Sequence, residues 1–186
     1  MPLIKLETII KAPVQLCFDL ARDVDVHMAS TARTGERAIA GITSGLMKLG
    51  DEVTWEAKHL GVRQRFTSKI VAFDSPRTFT DEMQRGAFKR FRHTHFFEPA
   101  QEGGTRMIDE LNFASPLGQL GRAVDALFLK NYLTRFLKAH NAYIKKLAES
   151  RSSSTSITAT EVSVLHSGQS RLLKPGGSSR LSTRPA

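Results

Sequence analysis

The spacing of hydrophobic and polar positions changes period twice along the chain. Leu3 to Ile10 reads as a strand, with Ile4, Leu6, Thr8 and Ile10 alternating against Lys5, Glu7 and Ile9. After Ala12-Pro13 the apolar positions Val14, Leu16, Cys17, Phe18 and Leu20 take helical spacing, with the proline where a first helical turn tolerates it. A second short helix is predicted over Val24 to Ser30. From about Glu36 to Phe113 the alternation returns, giving strands at Asp51 to His59, Val62 to Phe73, Phe79 to Arg85, Arg90 to Glu98 and Arg106 to Phe113. Leu60-Gly61, Asp74-Ser75-Pro76-Arg77, Gly86 to Lys89 and the double-glycine stretch Pro99 to Thr105 separate them. Leu117 to Leu147 closes the ordered part. There Leu120, Val124, Leu127, Phe128, Phe136, Leu137, Ile144 and Leu147 recur at three- and four-residue intervals, which predicts one amphipathic helix roughly 45 Å long.

An antiparallel sheet with one apolar face and a long helix with one apolar stripe bury both surfaces most economically when the helix lies in the concave side of the sheet. The fold class is therefore α+β. A bent sheet around a single helix rarely fills completely, so a cavity between them is expected, lined by inward-facing strand residues.

Strand alternation then assigns the inward residues, anchored on the large apolar side chains. Val53, Trp55 and Ala57 bring His59 inward; Val62, Phe66 and Ile70 bring Gln64; Phe79 and Met83 bring Asp81 and Arg85. Phe91 and Phe97 bring His93 and His95, while Met107, Leu111 and Phe113 bring Asp109. The opposite parity is almost wholly polar, with Phe73 and Phe96 as exceptions. Ionisable groups on an apolar face must pair, meet water or meet a ligand, because burying any of them unpaired costs several kcal/mol. The candidate binding residues are thus Trp55, His59, Gln64, Phe66, Phe79, Asp81, Arg85, Phe91, His93, His95, Asp109 and Phe113, with Leu127 and Phe128 from the terminal helix.

Together with this order of elements, the phrases Gly50 to His59 (GDEVTWEAKH), Phe79 to Gly86 (FTDEMQRG) and Phe91 to Glu98 (FRHTHFFE) resemble the START-like SRPBCC superfamily, which includes polyketide cyclase/dehydrase-like and coenzyme Q-binding proteins. The resemblance covers about residues 3 to 147. It implies the helix-grip (START/Bet v 1-like) architecture and an internal pocket for a lipid-like, polyketide-like or other cyclic ligand. It implies no shared catalytic motif.

Composition refines this picture at the C-terminus. From Ser150 onward, 20 of 37 residues are Ser, Thr, Gly or Pro and no aromatic occurs. The expected organisation is a ligand-binding domain over residues 1–149 followed by a disordered basic tail over 150–186. The net charge of +9 divides into +4 on the tail and +5 on the remainder, so the folded part is only mildly basic. Arg85, Lys89, Arg90 and Arg92 carry no nucleic-acid signature. A solvated hairpin edge, able to make peripheral contact with anionic membrane lipid, is preferred, and no nucleic-acid partner is expected. Cys17 alone closes no disulfide and no run of apolar residues spans a bilayer, which fits a cytoplasmic protein without signal peptide.

The function expected is binding, as carrier or sensor, of a hydrophobic small molecule, with either a monomer or a homodimer allowed. One rival is an enzyme of the cyclase/dehydratase kind, in which His93, His95, His59 and Asp109 are the candidates for acid–base work. Another is a protein-interaction module acting through the basic hairpin and the tail. No cofactor is expected. A metal is set aside at this stage, because two histidines spaced two apart on one strand are all the sequence shows.

Overall fold

The computed structural model describes residues 2–59, 61–101, 103–116, 118 and 128–169; of His59 and of residues from 155 onward it describes the backbone alone. Seven strands, β1 (Leu3–Ile10), β2 (Arg37–Gly41), β3 (Glu52–His59), β4 (Val62–Asp74), β5 (Thr78–Arg85), β6 (Arg90–Pro99) and β7 (Thr105–Ala114), form one antiparallel sheet. Their order is β1-β7-β6-β5-β4-β3-β2, so only the β1–β7 pairing joins strands distant in sequence. Two short helices, α1 (Val14–Ala21) and α2 (Val24–Ser30), cross between β1 and β2, and the terminal helix α3 is Lys130–Gln169. Asp23 caps α2 by accepting from the amides of Asp25 and Val26.

The predicted strands and helices are all present, with β2 added from within the stretch that starts near Glu36. The terminal helix extends beyond its predicted C-terminal end. Its assigned start is Lys130, and Leu120, Val124 and Leu127 lie outside the described residues. At the other end it runs past Ser150 into the stretch whose composition predicts disorder, as helix propagation costs far less than nucleation. The chain divides into a unit Met1–Ser152 and a second unit Ser153–Ala186.

Two irregularities in the β4–β5 ladder change which side chains face inward. Ile70 pairs with Asp81 but Ala72 pairs with Thr80, so Val71 is the extra residue of a β-bulge. Beyond it the parity of β4 reverses, and Phe73 turns into the core to meet Phe18 edge-to-face at 5.4 Å. On β5, Met83 pairs with Ser68 and Arg85 with Thr67, which makes Gln84 the extra residue. Thr67 belongs to the outer face, where it bonds Thr54 at 2.9 Å, so Arg85 joins that face and is exposed. The assignment of Arg85 to the inner face is corrected accordingly.

The core lies at two levels. Phe18 of α1 sits fully buried against Phe73, Phe79 and Phe97, with ring centroids 5.4 to 5.6 Å apart. Leu133 and Leu137 of α3 pack with Ile4, Leu111 and Phe113 on the β1–β7 side. The turn into β7 depends on Gly104, whose φ is +85° and where a Cβ would stand 2.3 Å from the Ile10 carbonyl oxygen. Gly104→Ala is expected to cost about 2 kcal/mol in a urea titration. A change below about 0.5 kcal/mol, the range of neutral surface substitutions, would mean that this close approach is not maintained.

Candidate functional site

Between the inner face of the sheet and α3 lies a cavity of about 320 Å³, at the small end of the range for sites that enclose an organic ligand. Trp55, Gln64, Phe66, Phe79, Asp81, Phe91, His93 and His95 line it from the strands. From the helical side come Leu129, Tyr132, Leu133, Phe136, Leu137 and His140, a three-and-four spacing that presents one face of a helix.

The remaining sequence candidates are placed elsewhere. Phe113 is fully buried core and Asp109 lies fully buried behind the histidines; neither lines the cavity. Phe128 is 55% exposed: neighbouring helical positions diverge by about 100°, so with Leu129 at the cavity Phe128 faces away. The His59 side chain and Leu127 lie outside the described residues.

Register explains how the charged cluster assembles. His95 of β6 stands opposite Asp109 of β7 and Phe79 of β5, and His93 stands opposite Asp81 of β5. Asp109 Oδ1 lies 2.8 Å from His95 Nδ1 and 3.1 Å from His93 Nε2, while its Oδ2 accepts from Asn141 Nδ2 of α3 at 2.6 Å. Asn141 Nδ2 also reaches Thr8 Oγ1 of β1 at 3.3 Å. One carboxylate with no exposed surface thus ties together β6, β7 and the terminal helix. Burial alone would push the Asp109 carboxyl up, but the hydrogen bonds and positive charge of His93 and His95 hold it well below the usual carboxylate range. Burial would likewise push the His95 imidazole down. The hydrogen bond to Asp109 and the negative charges of Asp109 and Asp81 outweigh that and raise it to about 9. Its ring is stacked on Phe79, centroids 4.3 Å apart.

A second polar group on the cavity wall has no counterpart among the sequence candidates. His27 Nε2 lies 3.2 Å from Glu36 Oε2, its ring is 4.4 Å from Trp55, and the His140 ring follows at 5.1 Å. Ser30 Oγ donates its only proton to the His27 carbonyl at 2.7 Å, so at 2.6 Å it accepts from His140 Nδ1 and leaves Nε2 of His140 as a lone pair. Burial, and next the neighbouring His27, push His140 well below the ordinary imidazole value, which keeps it neutral. A signal for His140 and Asn141 did exist in the sequence. They stand three and four positions after Leu137 and four and three before Ile144, inside the apolar stripe.

A seven-stranded sheet wrapped on a terminal helix, enclosing an apolar cavity with a few convergent polar groups, is the helix-grip architecture of the START-like SRPBCC superfamily. The chain belongs to the polyketide cyclase/dehydrase and lipid transport family, whose profile matches residues 1–149. No curated protein sequence matches it significantly. Among solved structures it is similar to TTHA0849 of Thermus thermophilus, with a TM-score of 0.60 at 20% identity over 77% of this chain and 97% of that one. It is similar to the ginseng major latex-like protein 151 of Panax ginseng, with a TM-score of 0.59 at 18% identity over 79% and 97% of the two chains. The protein of unknown function SA2116 of Staphylococcus aureus gives a TM-score of 0.63 at 11% identity over 81% and 94%. At these identities the likeness concerns the fold. No helix among the described residues is long and apolar enough to cross a membrane.

Proposed function

We propose that this protein binds a hydrophobic small molecule, lipid-like or polyketide-like, in the cavity between sheet and terminal helix, as a carrier or sensor. The observation that carries the proposal is a chamber walled by the aromatic side chains Trp55, Phe66, Phe79 and Phe91, with a tied-down charged cluster on one side. Aromatic walls supply the burial of the ligand's surface, and the cluster orients its polar end. The family description, polyketide cyclase/dehydrase and lipid transport, supports the same ligand class.

Ala57 lines the same chamber and offers room to fill it. The probe 8-anilinonaphthalene-1-sulfonate is expected to bind at one molecule per chain, and Ala57→Phe to weaken it at least about tenfold, or about 1.4 kcal/mol. Equal affinity of variant and wild type would place the probe outside the cavity and remove the proposal.

One observation favours a second reading. His95, which keeps its proton, and His140, which stays neutral, line one cavity, and acid–base chemistry of the cyclase or dehydratase kind needs that pair of states. Mass spectrometry of molecules extracted after incubation separates the two. A compound recovered unchanged supports the carrier, and one lighter by a water, with the loss suppressed in His140→Gln, supports the enzyme.

A further inference from the structure

Hydrogen bonding accounts for one side of each histidine in the cluster and leaves the other side unexplained. With ring protons on His93 Nε2 and His95 Nδ1 aimed at Asp109, the opposite nitrogen of each ring is the one that can bind an ion, which at His95 takes the place of the second ring proton. Both of those nitrogens face the same atom. His93 Nδ1 is 3.8 Å and His95 Nε2 is 3.7 Å from Asp81 Oδ1, which is too long for hydrogen bonds. Three electron-rich atoms from three residues therefore converge on one point, all within 4.8 Å of one another.

The geometry points to a divalent transition-metal site at which Asp81, His93 and His95 bind one zinc or ferrous ion, with Asp109 orienting both imidazoles from behind. Bonds of about 2.0–2.2 Å to a shared ion set ligand atoms about 3.3–4.2 Å apart, and the two distances to Asp81 fall in that range. A rotation of the two rings closes the set. Metal-bound histidines characteristically donate their far N–H to a carboxylate, and here a single buried carboxylate serves both, itself fixed by Asn141. Charge agrees as well: with the second proton of His95 displaced by the ion, two carboxylates beside two neutral imidazoles carry −2, which one divalent ion cancels. Two nitrogens and one oxygen select a first-row transition ion over calcium or magnesium, which take oxygen. Because all three ligands line the cavity, the remaining coordination positions open into it.

The test reads the metal directly and so stands apart from whether the cavity takes a hydrophobic ligand. Full-length protein is stripped with a chelator and dialysed, then titrated with Zn²⁺ by calorimetry, with Co²⁺ by visible absorption, and anaerobically with Fe²⁺. One ion per chain is expected, with cobalt bands of a nitrogen-ligated site of low coordination number; the tighter of Zn²⁺ and Fe²⁺ identifies the preferred ion. Asp81→Asn and His95→Gln, with folding checked by circular dichroism, are expected to weaken binding by about 10–100-fold or more. His166→Gln, in the separate C-terminal unit, is expected to bind as the wild type does. No stoichiometric uptake by the wild type overturns the assignment. So does binding that both ligand variants leave within about twofold, the mark of an adventitious site. If the variants do not fold, the wild-type cobalt spectrum decides alone, since bands of an all-oxygen, six-coordinate ion would also overturn it.

Discussion

Asp109→Ala is expected to lower the free energy of unfolding by about 3–5 kcal/mol, the range for removing one partner from a buried charged network. Asp109 is the acceptor for two imidazoles and one amide, none of which has a route to water at that position: His93, His95 and Asn141 are all at least nine-tenths buried. Truncation takes the shared acceptor from three donors and leaves the positive charge on His95 with Asp81 as its remaining nearby carboxylate. Asp109→Asn separates volume from charge. It keeps the shape but gives up the charge-assisted bonds, so a loss of about 1.5–3 kcal/mol is expected, smaller than for alanine. Chemical denaturation in the presence of chelator measures both. A loss under about 1 kcal/mol for the alanine variant would show that the strands and helix hold together without this carboxylate. Asp109 would then not be what ties β6, β7 and the terminal helix together.

How far the sequence discloses such a cluster depends on how far side-chain parity can be propagated along each strand. On β6 nothing interrupts the alternation from Phe91 to Phe97, so His93 and His95 follow their aromatic neighbours inward. On β7 the same holds for Asp109 between Met107 and Leu111. Parity fails at the bulges. Val71 and Gln84 are ordinary strand residues with no glycine to announce a bulge, yet each reverses the faces beyond it, which is why Phe73 enters the core and Arg85 leaves the inner face. Parity is also silent on distance. It puts Asp81, His93, His95 and Asp109 on one face but does not disclose that Asp109 sits beneath the histidines while Asp81 sits at the cavity.

The helix is harder because a polar residue within an apolar stripe reads as an interruption of it. His140 and Asn141 occupy the core-facing positions between Leu137 and Ile144, and their partners, Ser30 on α2 and Asp109 on β7, come from elements remote in sequence. Only the packed fold shows which partners meet them. The helix-grip arrangement itself was legible because it needs little more than the order of elements and one apolar face on each.

Stability of the chelated protein is expected to peak near pH 6.5 and fall on both sides. Above that value the controlling group is His95, which faces Asp109 on β7, Asp81 on β5, His93 on its own strand and the ring of Phe79. Folded, it keeps its proton to about pH 9; unfolded, only to about 6.5. The stabilisation from protonated His95 is therefore complete below pH 6.5 and is lost as pH rises through 9, about 3 kcal/mol across the window. His140 works in the opposite sense. It is held neutral next to His27, so its contribution is present above pH 6.5 and is lost as acid forces a proton onto the unfolded chain's imidazole first. Asp109, held low by His93 and His95, adds stability above about pH 4 that disappears in stronger acid. Urea titrations from pH 5 to 9 measure the whole curve. His95→Gln should flatten the alkaline limb and leave the acid limb, whereas His140→Gln should flatten the acid limb between pH 6.5 and 5. A wild-type stability that stays level or rises between pH 6.5 and 9 would mean that the two carboxylates do not hold the His95 proton, and the electrostatic account of the cavity floor would be wrong.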